Sequence, residues 1–316
     1  MPLLNSEQAK ALLIQEYPIL KNSNLQIVKQ FVSEKGRGYN TFLIESNLEG
    51  FLKFVAKGIV FDTQSLELEW KTLTILSQRH ANAPLLLIPD HVPQNFLLLE
   101  YIDGINLSEL VKDKTQINKA FELAGIATGK LHSIQLERFG SLLSSQCANW
   151  DNYLTTKTNE RLLGVKELVS EQLYKKCGSL FDALKDIVYS ESLGEPILIH
   201  RDIYFDNFIL KQNSNDAILI DYGMTMSGRP FYDFGKFYIL ELYKYPEYKN
   251  VFINAYANYS IIPSNFNELL KVYILTEALG MIGFYSRIGE IKGLEHAILV
   301  LDELTSNKGI IFELIS

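Results

Sequence analysis

The chain has 316 residues, a formal net charge of −7, 47% hydrophobic and 21% charged residues. That length fits one large domain or two coupled lobes, and the composition is that of a chain that buries a core, not of a disordered one. The acidic balance excludes the basic footprint of a general nucleic-acid or anionic-membrane binder.

The two cysteines, Cys147 and Cys177, have no CxxC spacing and no histidine beside them, so a structural zinc site is not indicated. Two thiols in so long a chain fit a reduced, intracellular protein. The opening MPLLNSEQAK lacks the basic-then-apolar order of a signal peptide. No apolar stretch is expected to approach the roughly 20 residues that span a bilayer, so the expected location is the cytoplasm.

Residues 5–17 read as a short amphipathic helix, with Asn5 and Gln8 at capping-box spacing and Pro18 as its stop. Strands are expected at 25–31 and 41–46, around the turn-rich SEKGRGYN. Gly36 and Gly38 in that turn would let backbone amides approach phosphates, although a plain hairpin turn has the same composition. A third strand, 51–57, places Lys53 opposite Leu52 and Phe54, with Lys57 on the same face as an alternate. A helix follows at 63–80, where Leu66, Leu73 and Leu76 define an apolar arc. Glu69 falls inside that arc and Glu67 at its edge, so Lys53–Glu69 is the expected ion pair. FLLLEYIDG, 96–104, reads as a strand running into a polar turn, with Glu100 and Ile102 offering backbone groups to an adenine.

Beyond residue 105 helical periodicity dominates, at 118–134 and over one long stretch at 160–188. Two short strands, 208–211 and 217–220, are joined by QNSND. Helices resume at 232–243, 248–259, 265–287 and 294–304. No internal repeat or low-complexity linker interrupts the chain.

The strongest chemical signal is His200-Arg201-Asp202 with Asn207 after four intervening residues. Phosphoryl transfer to an alcohol needs a carboxylate to orient the hydroxyl and take its proton, and an amide oxygen able to bind a metal. Asp202 and Asn207 can supply both from one loop. A polar turn between strands is the bland alternative. Asp221 closes the second strand of the hairpin and precedes Gly223, which suits a ligand for magnesium, a hard ion that takes oxygen donors. Asp233-Phe234-Gly235 matches the metal motif of protein kinases letter for letter, yet it opens a helix, so Asp233 reads as a cap or a brace. His132 reads as a satisfied core histidine. Asp151, Glu160, Glu241 and Glu277 each read as surface charges, although two of them together in a pocket would attract a cationic amine.

Over roughly 25–237 the chain resembles the aminoglycoside phosphotransferase and choline kinase family, a branch of the protein-kinase-like fold. The resemblance rests on HRDIYFDN, AILIDYG, GRPFYDFG, FLKF with the Glu69 helix, and FLLLEYIDG. It implies an α+β bilobal fold: a strand-rich N-lobe at 1–99, a hinge at 100–104 and a mainly helical lobe at 105–316. It implies ATP and Mg2+ as cofactors, Asp202 as base, Asn207 and Asp221 as metal ligands, Lys53 on the nucleotide phosphates and Asp233 bracing the loop. Family members commonly carry Gly between this His and Asp, whereas this chain has Arg201, the residue typical of protein kinases. Against a protein kinase, no Ala-Pro-Glu follows Asp221, and the interval to Asp233 is too short for a long activation segment. The expected activity is transfer of phosphate from ATP to a hydroxyl of a small molecule: an aminoglycoside-like antibiotic, an amino alcohol, a sugar or a related metabolite. The alternatives are a protein kinase and a catalytically silent nucleotide-binding protein. Neither nucleic acid nor membrane is an expected partner.

Overall fold

Asn5 opens the first helix, α1 (Ser6–Glu16), with a complete capping box: its side chain accepts from the Gln8 amide and the Gln8 side chain accepts from the Asn5 amide. The computed structural model describes residues 3–32, 38–58, 63–144, 149–188 and 194–314. Strands β1 (Gln26–Val32), β2 (Gly38–Glu45) and β3 (Lys53–Gly58) follow, then α2 (Thr63–Gln78) and β4 (Phe96–Glu100). The four strands form one antiparallel sheet in the order β1-β2-β3-β4. The period of two sends Phe42, Ile44, Phe54, Ala56, Phe96 and Leu98 to one face, where they bury Ala9, Leu13, Tyr17 and Leu20. Lys53, Val55 and Lys57 therefore point to the other face. On α2, Leu66, Glu69, Leu73 and Leu76 are buried, the arc expected from the sequence, and Glu67 is exposed.

The later strands are β5 (Gly104–Asn106), β6 (Ile197–Ile199), β7 (Phe208–Lys211), β8 (Ala217–Leu219) and β9 (Met226–Gly228). They form a three-stranded sheet, β5-β7-β8, and a pair, β6-β9. The hairpin strands β7 and β8 sit where the sequence places them. β5, β6 and β9 have three residues each, too short for an alternating pattern to show.

The helices after β5 are α3 (Leu107–Leu110), α4 (Ile117–His132), α5 (Trp150–Gly164), α6 (Glu171–Val188), α7 (Tyr232–Phe237), α8 (Lys249–Tyr256), α9 (Phe266–Ile288), α10 (Ile291–Ser306) and α11 (Gly309–Leu314). The stretch expected as one helix at 160–188 is two, because Gly164 ends α5 and α6 starts afresh at Glu171. The expected helix at 232–243 is α7 followed by a π turn over Tyr238–Leu242. Helix α9 packs against α5, α6, α7 and α10. By length and composition it is long and apolar enough to cross a membrane, contrary to the expectation that no such stretch exists. Two thirds (67%) of its most apolar window is buried, as in the central helix of a core.

The chain divides into two compact units. The first holds Met1–Ile105 together with Ile209–Ser214 and Ile218–Thr225; the second holds Asn106–Phe208, Asn215–Ala217 and Met226–Ser316. Most of the β7–β8 hairpin thus groups with the first unit.

Candidate active site

Each unit carries one cluster of polar side chains named by the motifs. In the first, the cation on α2's carboxylate is Lys57, not Lys53. Lys57 Nζ lies 2.5 Å from Glu69 Oε2 and 2.7 Å from Asp221 Oδ1. Lys53 is instead half exposed, 3.9 Å from Glu45 and stacked over the Tyr101 ring at 4.4 Å. Both lysines share a strand face, so alternation cannot separate them. The connection decides: α2 begins soon after β3 ends, so its second turn lies near the last residues of the strand. Lys53, four residues back, sits about 13 Å further away along it. The expected Lys53–Glu69 pair is therefore replaced by Lys57–Glu69.

Glu69 is buried, and its other oxygen accepts from the Tyr222 amide at 3.2 Å. Burial pushes its carboxyl above the ordinary range, against the pull of Lys57 and that amide. Burial alone would lower the Lys57 ammonium, but the Asp221 and Glu69 carboxylates outweigh it and hold the lysine charged well above its usual range. Asp221 takes a left-handed φ of +67° and leaves its carboxylate 49% exposed. Glu100 is tied to Leu85 through both backbone and side chain, and Ile102 is buried. Gly38 opens β2, paired with Val32; Gly36 lies outside the described residues.

In the second unit the chain leaves β6 into His200-Arg201-Asp202. Arg201 has φ +66°, a conformation that costs a non-glycine residue roughly 1 kcal/mol. The Gly common in the related family meets no such cost. What holds Arg201 there is Asp233: its Oδ1 accepts from the Arg201 amide at 2.6 Å and its Oδ2 from the His200 amide at 2.7 Å. His132 Nε2 lies 3.1 Å from the same Oδ2, and its Nδ1 lies 3.0 Å from the Tyr256 hydroxyl. Burial works to raise the Asp233 carboxyl, but the His132 contact and the His200 amide outweigh it, so the group sits below its ordinary range. Asp233 is thus a brace, and His132 is a core histidine that orients it.

Asp202 is held on both sides. Asn207 Nδ2 donates to the Asp202 carbonyl at 2.8 Å and to Oδ2 at 3.3 Å, while Lys236 Nζ contacts Oδ1. The Asn207 amide oxygen accepts no hydrogen bond from the described residues. It and the Asp221 carboxylate are hard oxygen donors of the kind magnesium takes. Among the described residues no three His, Cys, Asp or Glu side chains cluster to hold a metal. Lys236 escaped sequence reasoning, although it follows Asp233 at the i+3 spacing that shares a helix face.

Of the four acidic side chains considered for a cationic acceptor, Glu277, Glu241 and Glu160 have partners of their own, whereas Asp151 Oδ1 is buried without a hydrogen bond from the described residues. Glu277 is paired with Arg161 at 2.8 Å, and Arg161 also donates to the Thr276 carbonyl. Burial would raise the Glu277 carboxyl, but Arg161 outweighs it and holds the group below its usual range. Glu241, also buried, accepts from the Phe205 amide at 3.0 Å and so supports the loop that carries Asp202. Glu160 is an exposed neighbour of Lys157. Burial pushes the Asp151 carboxyl up, against the pull of Arg229.

Solved structures with this fold cover nearly the whole chain. The aminoglycoside phosphotransferase APH(4)-Ia has a TM-score of 0.68 at 12% identity, over 96% of this chain and 100% of that one. An ethanolamine kinase of Plasmodium vivax has a TM-score of 0.66 at 14% identity, over 99% and 91%. APH(2")-IIa, solved with gentamicin, has a TM-score of 0.60 at 15% identity, over 99% of each chain. At such identities the likeness shows a shared fold, the protein-kinase-like one. No curated protein matches the chain in a sequence search. A family profile does match, over residues 39–262, which include both clusters. On that match the chain belongs to the phosphotransferase enzyme family.

Proposed function

We propose that this phosphotransferase moves the γ-phosphoryl group of ATP to a hydroxyl of a small molecule, with Asp202 as the base. The observation that carries this reading is the mounting of Asp202. Its carboxylate has a donor on each oxygen, and the loop behind it hangs by two amides from the buried Asp233. A transition state that is loose at phosphorus asks the protein mainly for position and charge, and this loop provides both. In the reaction the acceptor oxygen bonds to the γ-phosphorus while the bond to the β–γ bridging oxygen breaks, leaving ADP. The hydroxyl proton passes to Asp202.

Asn207 and Asp221 would hold Mg2+, which when bound neutralises phosphate charge. Lys57, fixed by Glu69, takes the phosphate-binding role expected of Lys53. The backbone at Glu100 and Ile102 is assigned to the adenine, and Gly36 and Gly38 to covering the phosphates. Support for the nucleotide comes from APH(4)-Ia, which has also been solved with AMP-PNP and hygromycin B. A small acceptor is favoured by the short interval between Asp221 and Asp233, which offers no extended platform for a peptide. With Glu277 and Glu241 committed internally, nothing in these carboxylates demands a cationic amine.

The test is an ATP-consumption screen with magnesium over sugars, amino alcohols, amines and aminoglycosides, with casein as the protein arm. Transfer to one class of small acceptor is expected. Robust transfer to casein with none to any small molecule would overturn the reading.

A further inference from the structure

Lys236 stands on α7, three residues after Asp233 and therefore on the same helix face. That face grips the catalytic loop twice. Asp233 takes the loop's backbone at His200 and Arg201; Lys236 takes the side chain at Asp202. The lysine also lies over the Tyr204 ring, 5.7 Å from its centre. Lys236 and Asp202 are 24% and 21% exposed, so their attraction is screened less than that of a surface pair.

A partly buried lysine favours a counter-charge, and neutralising Lys236 is the plain structural reason for such a contact. Two features go beyond it. The partner is the one carboxylate that the reaction uses. In addition, Asn207 holds the second oxygen of that carboxylate at 3.3 Å, so the two donors together fix the plane of the group and not merely its charge. In a loose phosphoryl transfer position counts most, and misplacing a reacting group by about 1 Å costs on the order of 100-fold.

We propose that Lys236 is a positioning residue for the transfer: it sets the orientation of the Asp202 carboxylate toward the acceptor hydroxyl, from the helix that also sets the loop's backbone. The lysine stays protonated throughout and exchanges no proton. This inference rests on the kinase reading above, with Asp202 as base.

The experiment compares wild type, Lys236→Met, Lys236→Arg, Asp202→Asn and the double variant Asp202→Asn/Lys236→Met, by ATP turnover, KM for ATP and thermal melting. Lys236→Met should lower kcat by about 100-fold with little change in KM for ATP. Lys236→Arg should recover part of that loss. The double variant should be no slower than Asp202→Asn alone, because the lysine acts only through the carboxylate. Lys236→Gln, which keeps a donor without the charge, replaces the Met variant if that fails to fold, and should also lose kcat. A wild-type kcat in Lys236→Met or Lys236→Gln, with Asp202→Asn inactive, overturns this inference alone. Full activity of Asp202→Asn, or no turnover by the wild-type chain, sinks the kinase reading and this inference with it.

Discussion

Lys57 and Glu69 meet at 2.5 Å, and Lys57 reaches Asp221 on its other side at 2.7 Å. A single ammonium thus joins strand β3, helix α2 and the segment after β8. If this is the lysine that steadies nucleotide phosphates, Lys57→Ala should raise KM for ATP and lower kcat by about 100-fold or more, since phosphate positioning is part of transition-state stabilisation. Lys53→Ala, which removes an exposed contact with Glu45, should stay within about 3-fold of wild type. Steady-state ATP kinetics on the two variants decides between them, and the opposite order would return the role to Lys53.

Asp221 is half exposed and Asp233 is buried, and the two should respond differently to loss. Asp221→Ala should abolish the extra thermal stabilisation that magnesium adds to ATP, because the ligand then has no preferred grip on the folded state. Asp233→Ala should leave any such increment in proportion while lowering the melting temperature itself. Melting curves with ATP, with and without magnesium, make the comparison. Loss of the magnesium increment only in the Asp233 variant would mean the wrong carboxylate was chosen.

Asp233 also sets an acid limit. Its carboxyl is held below the ordinary range in the folded chain, so its contribution is complete above the unfolded-state value of about 4. That contribution is lost as pH falls through the lower folded value. Asp233→Ala removes the acceptor from two buried amides and should cost about 3 kcal/mol near neutral pH. The difference from wild type should shrink below about pH 4. Denaturant titrations at a series of pH values measure it, and a difference that does not vary with pH would contradict the assigned brace.

Cys177 on α6 is a free, buried thiol, pushed up to about 12 by burial with Asp302 adding to it. At pH 8 about one molecule in ten thousand carries the thiolate, the reactive form. In a Cys147→Ser background, labelling of the folded chain by a disulfide reagent should therefore run at least about 100-fold slower than labelling in denaturant. Rapid labelling of the native chain would show that α6 opens readily.

The loop of Asp202 could be read from sequence because its parts are close along the chain: four residues separate Asp202 from Asn207, and the Asn bonds straight back to the Asp. Asp233 reads as a brace because it stands at a helix start, which is also a local feature. Glu69 was readable from the helical wheel because one face of α2 is apolar. What could not be read was which of two lysines on one strand face meets that glutamate, since this depends on the docking of α2 along β3. Lys236 was missed for a related reason. Its partner lies 34 residues earlier, and a lysine between apolar helix residues reads as a solvated charge until the loop is folded against it. Glu241 and Glu277 differ in the opposite sense. Each reads as a surface charge, yet both are buried and are held by the Phe205 amide and by Arg161.

Helix α7 has six residues, Tyr232–Phe237, and every one is engaged. Asp233 and Lys236 hold the loop, while Tyr232, Phe234 and Phe237 are buried in aromatic contacts. Gly235 lets the helix approach α9 so closely that an added Cβ would stand 2.7 Å from the Tyr273 carbonyl oxygen. A segment this fully committed leaves no neutral position for drift. In a saturation-mutagenesis experiment read out by activity, these six sites should form an unbroken intolerant block. The block would look like a metal motif to anyone reading the letters Asp-Phe-Gly, yet its intolerance would come from packing and from the two grips on the loop.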